Sequence, residues 1–177
     1  TTGASAVADE IEIVPYDPRW PTLFAEEAAR LRQALPADLI LGLEHFGSTA
    51  VPGLAAKPII DILIAVRSLL EAQERAIEPL EALDYAFWYD NPKTDRMYFV
   101  KGMPPYGARR THHVHMTETT GEMWKRLAFR DHLRAHPKNA RRYERLKREL
   151  AAVHRDDREA YTDAKAAFVA EIMTKAG

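Results

Sequence analysis

The spacing of hydrophobic and polar positions changes along the chain, and each change predicts an element of secondary structure. Apolar residues recur every three or four positions in the stretch that follows Pro21, as on a helix that is buried along one side. A later run of isoleucine, leucine and valine is apolar on both sides except at Asp61, which predicts a strand covered on both faces. In the first half of the chain these patterns predict an extended segment at residues 11–14, a helix at 21–34, strands at 39–46 and 58–66, and a helix at 69–83 capped by Ser68.

The second half of the chain changes from strand-like to helical character after Thr120. Asp156, three residues before Glu159, resembles the capping box that begins a helix. The pattern predicts short strands at residues 85–90, 96–101 and 111–117, followed by helices at 124–134, 137–153 and 158–174.

These elements predict an α/β (α+β) fold, in which a mixed β-sheet is flanked by helices. The α/β core is expected at about residues 11–120 and a helical part at about 121–177, together forming one domain. Residues 1–10 are small and polar, and we expect a disordered tail there.

The composition excludes several classes of function. The 177-residue chain has no cysteine, which excludes disulfides, thiolate metal sites and thiol nucleophiles. Its longest apolar run, residues 58–66, is well short of the roughly 18 residues that a membrane span requires. A net charge of -1 gives no overall preference for nucleic acid or for a membrane surface. We expect a cytoplasmic protein with no membrane partner.

Positive charge is concentrated in the helical third of the chain. Residues 124–158 contain 12 Lys or Arg against five Asp or Glu, a bias that nucleic-acid-binding surfaces also show. However, Tyr143, Leu146 and Leu150 recur at helical spacing in this span. The pattern therefore favours the solvent-facing side of a packed helix and leaves a nucleic-acid partner as the alternative.

The clearest candidate for chemistry is the loop that begins at Gly47, together with the strand that follows it. Glycine lets a backbone approach a phosphate closely, and Ser48 adds a hydroxyl donor. Asp61 can hold a divalent cation against that phosphate. Burying this carboxylate among isoleucines is costly unless a ligand or a charged partner satisfies it. The alternative is that the glycines only form turns and that Lys57, an arginine or backbone donors satisfy Asp61.

Four segments of the chain support a more specific interpretation. Residues 47–62 read GSTAVPGLAAKPIIDI, and shorter motifs accompany them: YDPRW at 16–20, HVH at 113–115, and FRD at 129–131 with LR at 133–134 and HP at 136–137. Over residues 11–168 these motifs resemble the GrpB-like family, which is placed in the polymerase-β-like nucleotidyltransferase superfamily. The resemblance implies a nucleotidyltransferase-like fold. It also implies a small phosphorylated ligand, either ATP or another nucleoside triphosphate or a phosphorylated metabolite.

The motifs yield a set of candidate site residues. Asp61 and Ser48 are the candidate catalytic residues, with Asp61 as ligand to Mg or Mn. Lysine and arginine near the site can neutralise a polyphosphate, arginine with two parallel hydrogen bonds. A solvated loop is the alternative for the arginine pair at 109–110. The candidates for binding the phosphorylated ligand are Gly47, Ser48, Thr49, Lys57, Arg109, Arg110 and Arg130.

One position departs from the pattern of active nucleotidyltransferases, which carry two carboxylates two residues apart on one strand. Here the second position is Leu63, which cannot bind a metal. His113 and His115 are also two apart and would share a face of a strand with each other. With Asp61 they would form a two-histidine, one-carboxylate set that suits Zn, Fe or Mn. Otherwise a second carboxylate comes from one of four other residues: Glu44, Asp90, Asp95 or Glu118.

Three functional hypotheses follow. The first is an enzyme that transfers a nucleotidyl group with the help of a divalent metal. The second is a non-catalytic module that binds a nucleotide or metabolite, which the leucine at position 63 favours. The third is a transition-metal hydrolase that uses Asp61, His113 and His115. The alternative to metal binding is that the histidines lie on the solvent-facing side of an edge strand and form hydrogen bonds there.

Overall fold

The computed structural model describes residues 11–176, and in this range it shows a five-stranded mixed sheet and six α-helices. The predicted tail at residues 1–10 lies outside the described residues. The strands are β1 (Ile40–Phe46), β2 (Ile60–Val66), β3 (Tyr85–Phe87), β4 (Met97–Lys101) and β5 (His112–Thr117). The helices are α1 (Trp20–Ala34), α2 (Leu69–Arg75), α3 (Ile77–Glu81), α4 (Glu122–Ala135), α5 (Pro137–Val153) and α6 (Arg158–Ala176). None of these helices is long and apolar enough to cross a membrane.

The strands are ordered β1-β2-β5-β4-β3 across the sheet. β2 and β5 pair in parallel at the centre, and the other three pairs are antiparallel. In the central pair Asp61 is opposite His113 and Leu63 is opposite His115. Because opposite residues share a face of the sheet, this register places all four side chains on the same side.

The two faces of the sheet have different partners. Ile60, Ile62 and Ile64 of β2 face a large core that includes buried side chains from α1, α2 and α3. On the other face, Leu63 packs with Phe46 of β1 and with the first turn of α4. The strand is therefore covered on both sides, as its sequence predicts, and Asp61 lies on the α4 side.

Three predicted elements differ from those observed. The helix predicted at 69–83 is two helices, because Pro79 has no N–H and its ring would clash with the carbonyl of Arg75, where α2 ends. Ser68 caps α2 as predicted, by accepting a hydrogen bond from the Glu71 N–H. The predicted strand at 85–90 ends at Phe87, and the segment at 11–14 forms only an isolated bridge between Val14 and Ala56.

The start of α6 is capped by a different residue from the one predicted. The carboxylate of Asp157, rather than that of Asp156, accepts a hydrogen bond from the Ala160 N–H at 3.0 Å. An N-cap side chain bonds the N–H two or three residues further on, and the helix begins at Arg158. Both aspartates precede the helix in the sequence, and only the backbone conformation decides that Asp157 is the N-cap residue.

Candidate functional site

Three potential metal ligands lie together where β2 and β5 run side by side. Asp61 is opposite His113, and His115 follows two residues later on the same face. One carboxylate oxygen and one nitrogen of each ring all lie within 4.8 Å of one another. The fold thus brings together the three residues that the sequence predicted as metal ligands. Two imidazoles with one carboxylate suit Mn, Fe or Zn better than Mg.

Asp61 is negatively charged at neutral pH. Its side chain is 27% exposed, at the edge of the covered face. Burial raises the pKa of the carboxyl group, but the hydrogen bond with His113, followed by the electrostatic influence of His113, His115 and Lys57, outweighs it, and the pKa falls to about 2. Asp61 is therefore in the deprotonated form that metal binding requires.

His113 has a polar neighbour at each ring nitrogen. Nε2 lies 3.5 Å from Nη1 of Arg110, and a guanidinium group can only donate a hydrogen bond. Nδ1 lies 3.0 Å from the Tyr98 hydroxyl and 3.4 Å from Oδ1 of Asp61. Burial keeps the pKa of His113 below its ordinary value despite the neighbouring carboxylate. The ring is therefore neutral near pH 7 and is oriented toward Asp61.

His115 offers a ring nitrogen with no partner. Its ring packs against Phe46 at 5.3 Å and Tyr98 at 4.7 Å between centroids, and its Nδ1 is buried without a hydrogen-bond partner among the described residues. Burial lowers the pKa of His115 to about 3, so the ring is neutral at physiological pH. A buried polar atom without a partner is costly. A neutral imidazole, with a charged carboxylate beside it, fits the requirements of a transition-metal site.

The remaining histidine of the 112–115 run points away from this site. His112 lies on the opposite face of β5, where burial lowers its pKa to about 4 against the opposing effect of the Glu27 charge. Glu27 is fully buried and accepts hydrogen bonds from Tyr85 at 2.6 Å and Lys101 at 2.8 Å. The alternation of a strand therefore separates the three histidines into a site pair and a single residue of the core face.

Gly47 lies directly against the Asp61 carboxylate. The backbone there has φ of 74°, and a Cβ at this position would lie 2.6 Å from Oδ2 of Asp61. The structure shows that this glycine makes room for the carboxylate, and its approach to a phosphate stays a prediction. Glycine is required at this position both for its backbone conformation and for this contact.

We expect Gly47→Ala to weaken metal binding by about tenfold or more and to lower the free energy of unfolding by about 1–3 kcal/mol, because it adds both strain and a clash. Gly53→Ala is a matched control: Gly53 also has a positive φ, of 80°, but has nothing within 4 Å of the added Cβ. Metal titration and chemical denaturation of both variants measure the two effects. Equal loss of metal affinity in both variants would show that the contact with Asp61 is irrelevant.

The two residues after Gly47 have different roles. Ser48 begins a short 3-10 helix, and its hydroxyl interacts with the Tyr143 phenol of α5. Thr49 is buried, and its Oγ1 lies 2.8 Å from Nε2 of His45, whose ring stacks on Phe24. Thr49 therefore holds the loop in place, and its role in binding a ligand stays a prediction.

Two lysines bring positive charge close to Asp61. Nζ of Lys57 and Nζ of Lys165 lie 5.2 and 4.6 Å from the centroid of the same Tyr161 ring. Burial, followed by the charge of Lys165, lowers the pKa of Lys57 to about 7. Burial also lowers the pKa of Lys165 to about 8. Neither ammonium group forms an ion pair within residues 11–176, so both remain available to an anion.

We expect Lys57→Met to stabilise the ligand-free protein, most strongly near pH 6 and least near pH 10. The folded-state pKa of Lys57 lies below its ordinary 10.5, so the unfolded chain binds more protons between pH 7 and pH 10. The free energy of unfolding of the wild type therefore rises with pH across this window. That of the variant rises less. Melting temperatures across this pH range test the prediction. Lys125→Met removes an exposed lysine that pairs with Glu122 and serves as the control.

If Lys57→Met lowered the melting temperature at every pH, the desolvated charge of Lys57 would not be the cause of the pH dependence.

The loop that carries Lys57 is fixed by α5. Both backbone groups of Ala55 are bound by this helix: its N–H donates to Glu144 at 2.7 Å, and its carbonyl accepts from Lys147 at 2.7 Å. Lys147 is buried, although the pattern of the helix suggested a charged, solvated side. The helical third therefore positions the loop before β2.

Further arginines contribute to the positive potential of the site. Arg110 lies beside Tyr98 and His113, and Arg158 adds to the positive charge that acts on Lys57. Arg126 of α4 influences both His115 and Lys165. The chain thus surrounds one carboxylate with several cations, an arrangement that favours a ligand with multiple negative charges.

Two of the basic residues predicted to bind the ligand are either exposed or bound to other protein groups. Arg109 is exposed in the loop between β4 and β5. Arg130 donates to Glu44 at 2.8 Å, to the His45 carbonyl at 2.9 Å and to Asp131 at 2.9 Å. Arg130 therefore ties α4 to β1, and its role as a ligand-binding residue stays a prediction without a supporting contact.

Each of the four candidates for a second carboxylate either bonds to another protein group or lies in an exposed turn. Glu44 binds Arg130, Asp95 binds Arg96, and Glu118 accepts from the Leu69 N–H at 3.1 Å. Asp90 is exposed in the turn after β3. Within residues 11–176, the only acidic or histidine side chains grouped with Asp61 at ligand distance are the two histidines of β5.

Three residues of the site were absent from the sequence-based predictions. Tyr98 contacts both histidines, and its position opposite His115 follows from strand pairing that a single sequence does not reveal. Lys165 and Tyr143 come from the C-terminal helices. The alternation of β4 could have placed Tyr98 on one face, whereas no local pattern marks the other two.

Comparison with known proteins agrees with this architecture. The sequence model of the family described as GrpB protein matches residues 10–175. The crystal structure of the conserved protein GrpB from Enterococcus faecalis superposes with a TM-score of 0.82 at 38% identity, covering 93% of this chain and 96% of that one. The chain belongs to the GrpB family.

Curated relatives support the same assignment. A UPF0157 protein of Pseudomonas aeruginosa is 51% identical over 173 residues, which cover 98% of this chain and 70% of that protein. The glutamate-rich protein GrpB of Alkalihalophilus pseudofirmus is 33% identical over 167 residues, which cover 94% of this chain and 95% of its own length. The five-stranded mixed sheet and its helices are thus the fold of a GrpB-family protein.

Proposed function

We propose that this GrpB-family protein binds a nucleoside triphosphate, or a similar phosphorylated molecule, together with a divalent metal, and catalyses nucleotidyl transfer. One observation carries the proposal: the Asp61, His113 and His115 donor cluster lies beside the ammonium groups of Lys57 and Lys165, neither of which forms an ion pair within residues 11–176. A metal ligand set next to cations without acidic partners is complementary to a metal–polyphosphate complex.

The residues have distinct roles in this proposal. Asp61, His113 and His115 would hold the metal, which when bound would polarise the phosphate oxygens. Lys57 and Lys165 would neutralise the negative charge that develops on the phosphates during transfer. Tyr98 positions His113 through its hydroxyl, and Gly47 positions Asp61 through the close backbone contact. The Ser48 hydroxyl, at the start of the 3-10 helix, would be a further donor for the ligand in exchange for its hydrogen bond with the Tyr143 phenol.

The donor types favour one group of metals. Magnesium prefers oxygen ligands, and this site offers two nitrogens for one carboxylate. We therefore expect Mn²⁺ or Zn²⁺ to bind more tightly than Mg²⁺ in the absence of a nucleotide. Of the two metals expected from the sequence, Mg and Mn, the donor set thus favours Mn.

Thermal denaturation with combinations of metal and nucleotide tests the proposal. A nucleoside triphosphate should raise the melting temperature in the presence of Mn²⁺ or Zn²⁺, and much less in their absence, because binding to the folded state alone stabilises it. The four common triphosphates are each tested with Mg²⁺, Mn²⁺ and Zn²⁺. No increase with any combination would contradict the proposal.

A second candidate function is hydrolysis of a phosphate ester by a bound transition metal. The two histidine ligands favour it, together with the apolar Leu63 in place of a second carboxylate. Labelled nucleotide distinguishes the two reactions: hydrolysis releases free mononucleotide or phosphate without an acceptor, whereas transfer leaves the nucleotidyl group on an acceptor. Tight binding with neither product would identify the protein as a non-catalytic binding module.

A further inference from the structure

We infer that Trp88 is the stacking platform for a nucleobase, so that the ligand of this site is a nucleotide rather than an aliphatic phosphorylated metabolite. The inference rests on the proposed function and specifies its substrate class. It arises from the position of one exposed aromatic side chain relative to the Asp61, His113 and His115 cluster.

Trp88 lies on the same face of the sheet as the metal ligands. It follows β3 directly, and its N–H donates to the carbonyl of Tyr98 at 3.0 Å, which extends the pairing of β3 with β4 by one residue. Residues opposite one another in an antiparallel pair share a face, and the rings of Trp88 and Tyr98 contact each other with centroids 6.0 Å apart. The backbone thus fixes Trp88 on the site face.

Tyr98 connects this tryptophan to the candidate metal site. Its ring lies 5.3 Å from the ring of His113 and 4.7 Å from that of His115, and its hydroxyl bonds His113. A row of rings therefore runs from the sheet edge to the ligand cluster. A nucleotide has the same sequence of parts, with a planar aromatic group at one end and a charged phosphate group at the other.

The exposure of Trp88 is unusual for its type and position. The side chain is 42% exposed, whereas tryptophan is highly buried on average. Arg96, which immediately precedes β4 and pairs with Asp95, adds positive charge that acts on His115. An open indole is suited to stacking with a nucleobase, which every base permits through its π face.

The next residue provides a matched control. Tyr89 is 72% exposed, but its ring packs on Phe87 and its hydroxyl donates to Glu81, so it is held away from Tyr98. Trp88→Ala and Tyr89→Ala therefore each remove an exposed aromatic side chain from the same turn, and only the first removes the ring beside the site. Trp88→Phe retains a smaller aromatic surface.

The experiment compares ATP with inorganic triphosphate, each with Mn²⁺, by isothermal titration calorimetry. The wild type should bind ATP more tightly than triphosphate. Trp88→Ala should weaken ATP binding by about tenfold or more and leave triphosphate binding unchanged, because one base–aromatic stack is lost. Trp88→Phe should restore part of the affinity, and Tyr89→Ala should change neither ligand.

Several outcomes would overturn the inference. If Trp88→Ala bound ATP as the wild type does, or lost affinity equally for both ligands, Trp88 would not contact the base. If wild-type protein bound ATP and triphosphate equally, the base would make no contribution, while the proposed phosphate site would stand. If neither ligand bound the wild type with Mn²⁺, the proposed function would fail, and the base site with it.

Discussion

Asp61→Asn is expected to reduce the affinity for Mn²⁺ and Zn²⁺ by at least about 100-fold and to remove the metal-dependent binding of a nucleoside triphosphate. Asparagine keeps the shape of the side chain but loses the charge, leaving two imidazoles as donors. Loss of an outer-shell partner of a metal ligand alone costs about 10–100-fold in affinity, so loss of the carboxylate ligand itself should cost more.

The same substitution should also destabilise the ligand-free protein. Asp61 is the carboxylate beside Lys57 and Lys165, and its removal leaves their positive charges without compensation. Metal titration by calorimetry and thermal denaturation separate the two effects. Asp95→Asn is the control, because Asp95 is an exposed carboxylate that pairs with Arg96 outside the ligand cluster. Wild-type metal affinity in Asp61→Asn would exclude Asp61 as a ligand and contradict the proposed function.

Leu63→Asp is expected to lower the free energy of unfolding by on the order of 4 kcal/mol and to leave magnesium binding unimproved. The substitution restores the two-carboxylate pattern of active nucleotidyltransferases in sequence. In the structure, however, Leu63 is fully buried against Phe46 and Met123. A carboxylate there would lose apolar contacts and gain no water, so its charge would be uncompensated.

The measurement is thermal denaturation of Leu63→Asp and Leu63→Met, each with and without Mg²⁺. A loss of this size corresponds to a decrease in melting temperature of roughly 10 °C for a chain of this length. Leu63→Met conserves volume and apolar character, and should change the melting temperature far less. If Leu63→Asp kept the wild-type melting temperature and bound Mg²⁺ more tightly than the wild type, position 63 would be accessible to a metal. That result would support the hypothesis that a second carboxylate binds the metal.

The sequence determined most of the secondary structure, because the period of apolar residues depends on local geometry alone. The run around Asp61 predicted a strand covered on both faces, and the helix at 137–153 was predicted at its observed bounds. The period of apolar residues does not predict a helix correctly where a single residue breaks the helix. Pro79 divides the helix predicted at 69–83, because its ring is incompatible with the carbonyl of Arg75 although the other positions fit one helix.

The candidate site could be located from the sequence in part. Alternation along a strand is enough to place His113 and His115 on one face, and the cost of burying a carboxylate is enough to mark Asp61. The pairing of β2 with β5 decided that these residues share a site, because it joins positions about 50 residues apart in the sequence. Strand order depends on long-range contacts, which no local pattern encodes.

Only the tertiary structure assigned the remaining roles. It placed Gly47 against Asp61, used Arg130 to join α4 with β1, and brought Lys165 from the last helix to the ring that Lys57 also contacts. The sequence by itself determined the elements, the GrpB-family resemblance and the candidate ligands. The tertiary structure decided which of those side chains meet, because distance, burial and the charges of neighbouring elements exist only once helices and strands have packed together.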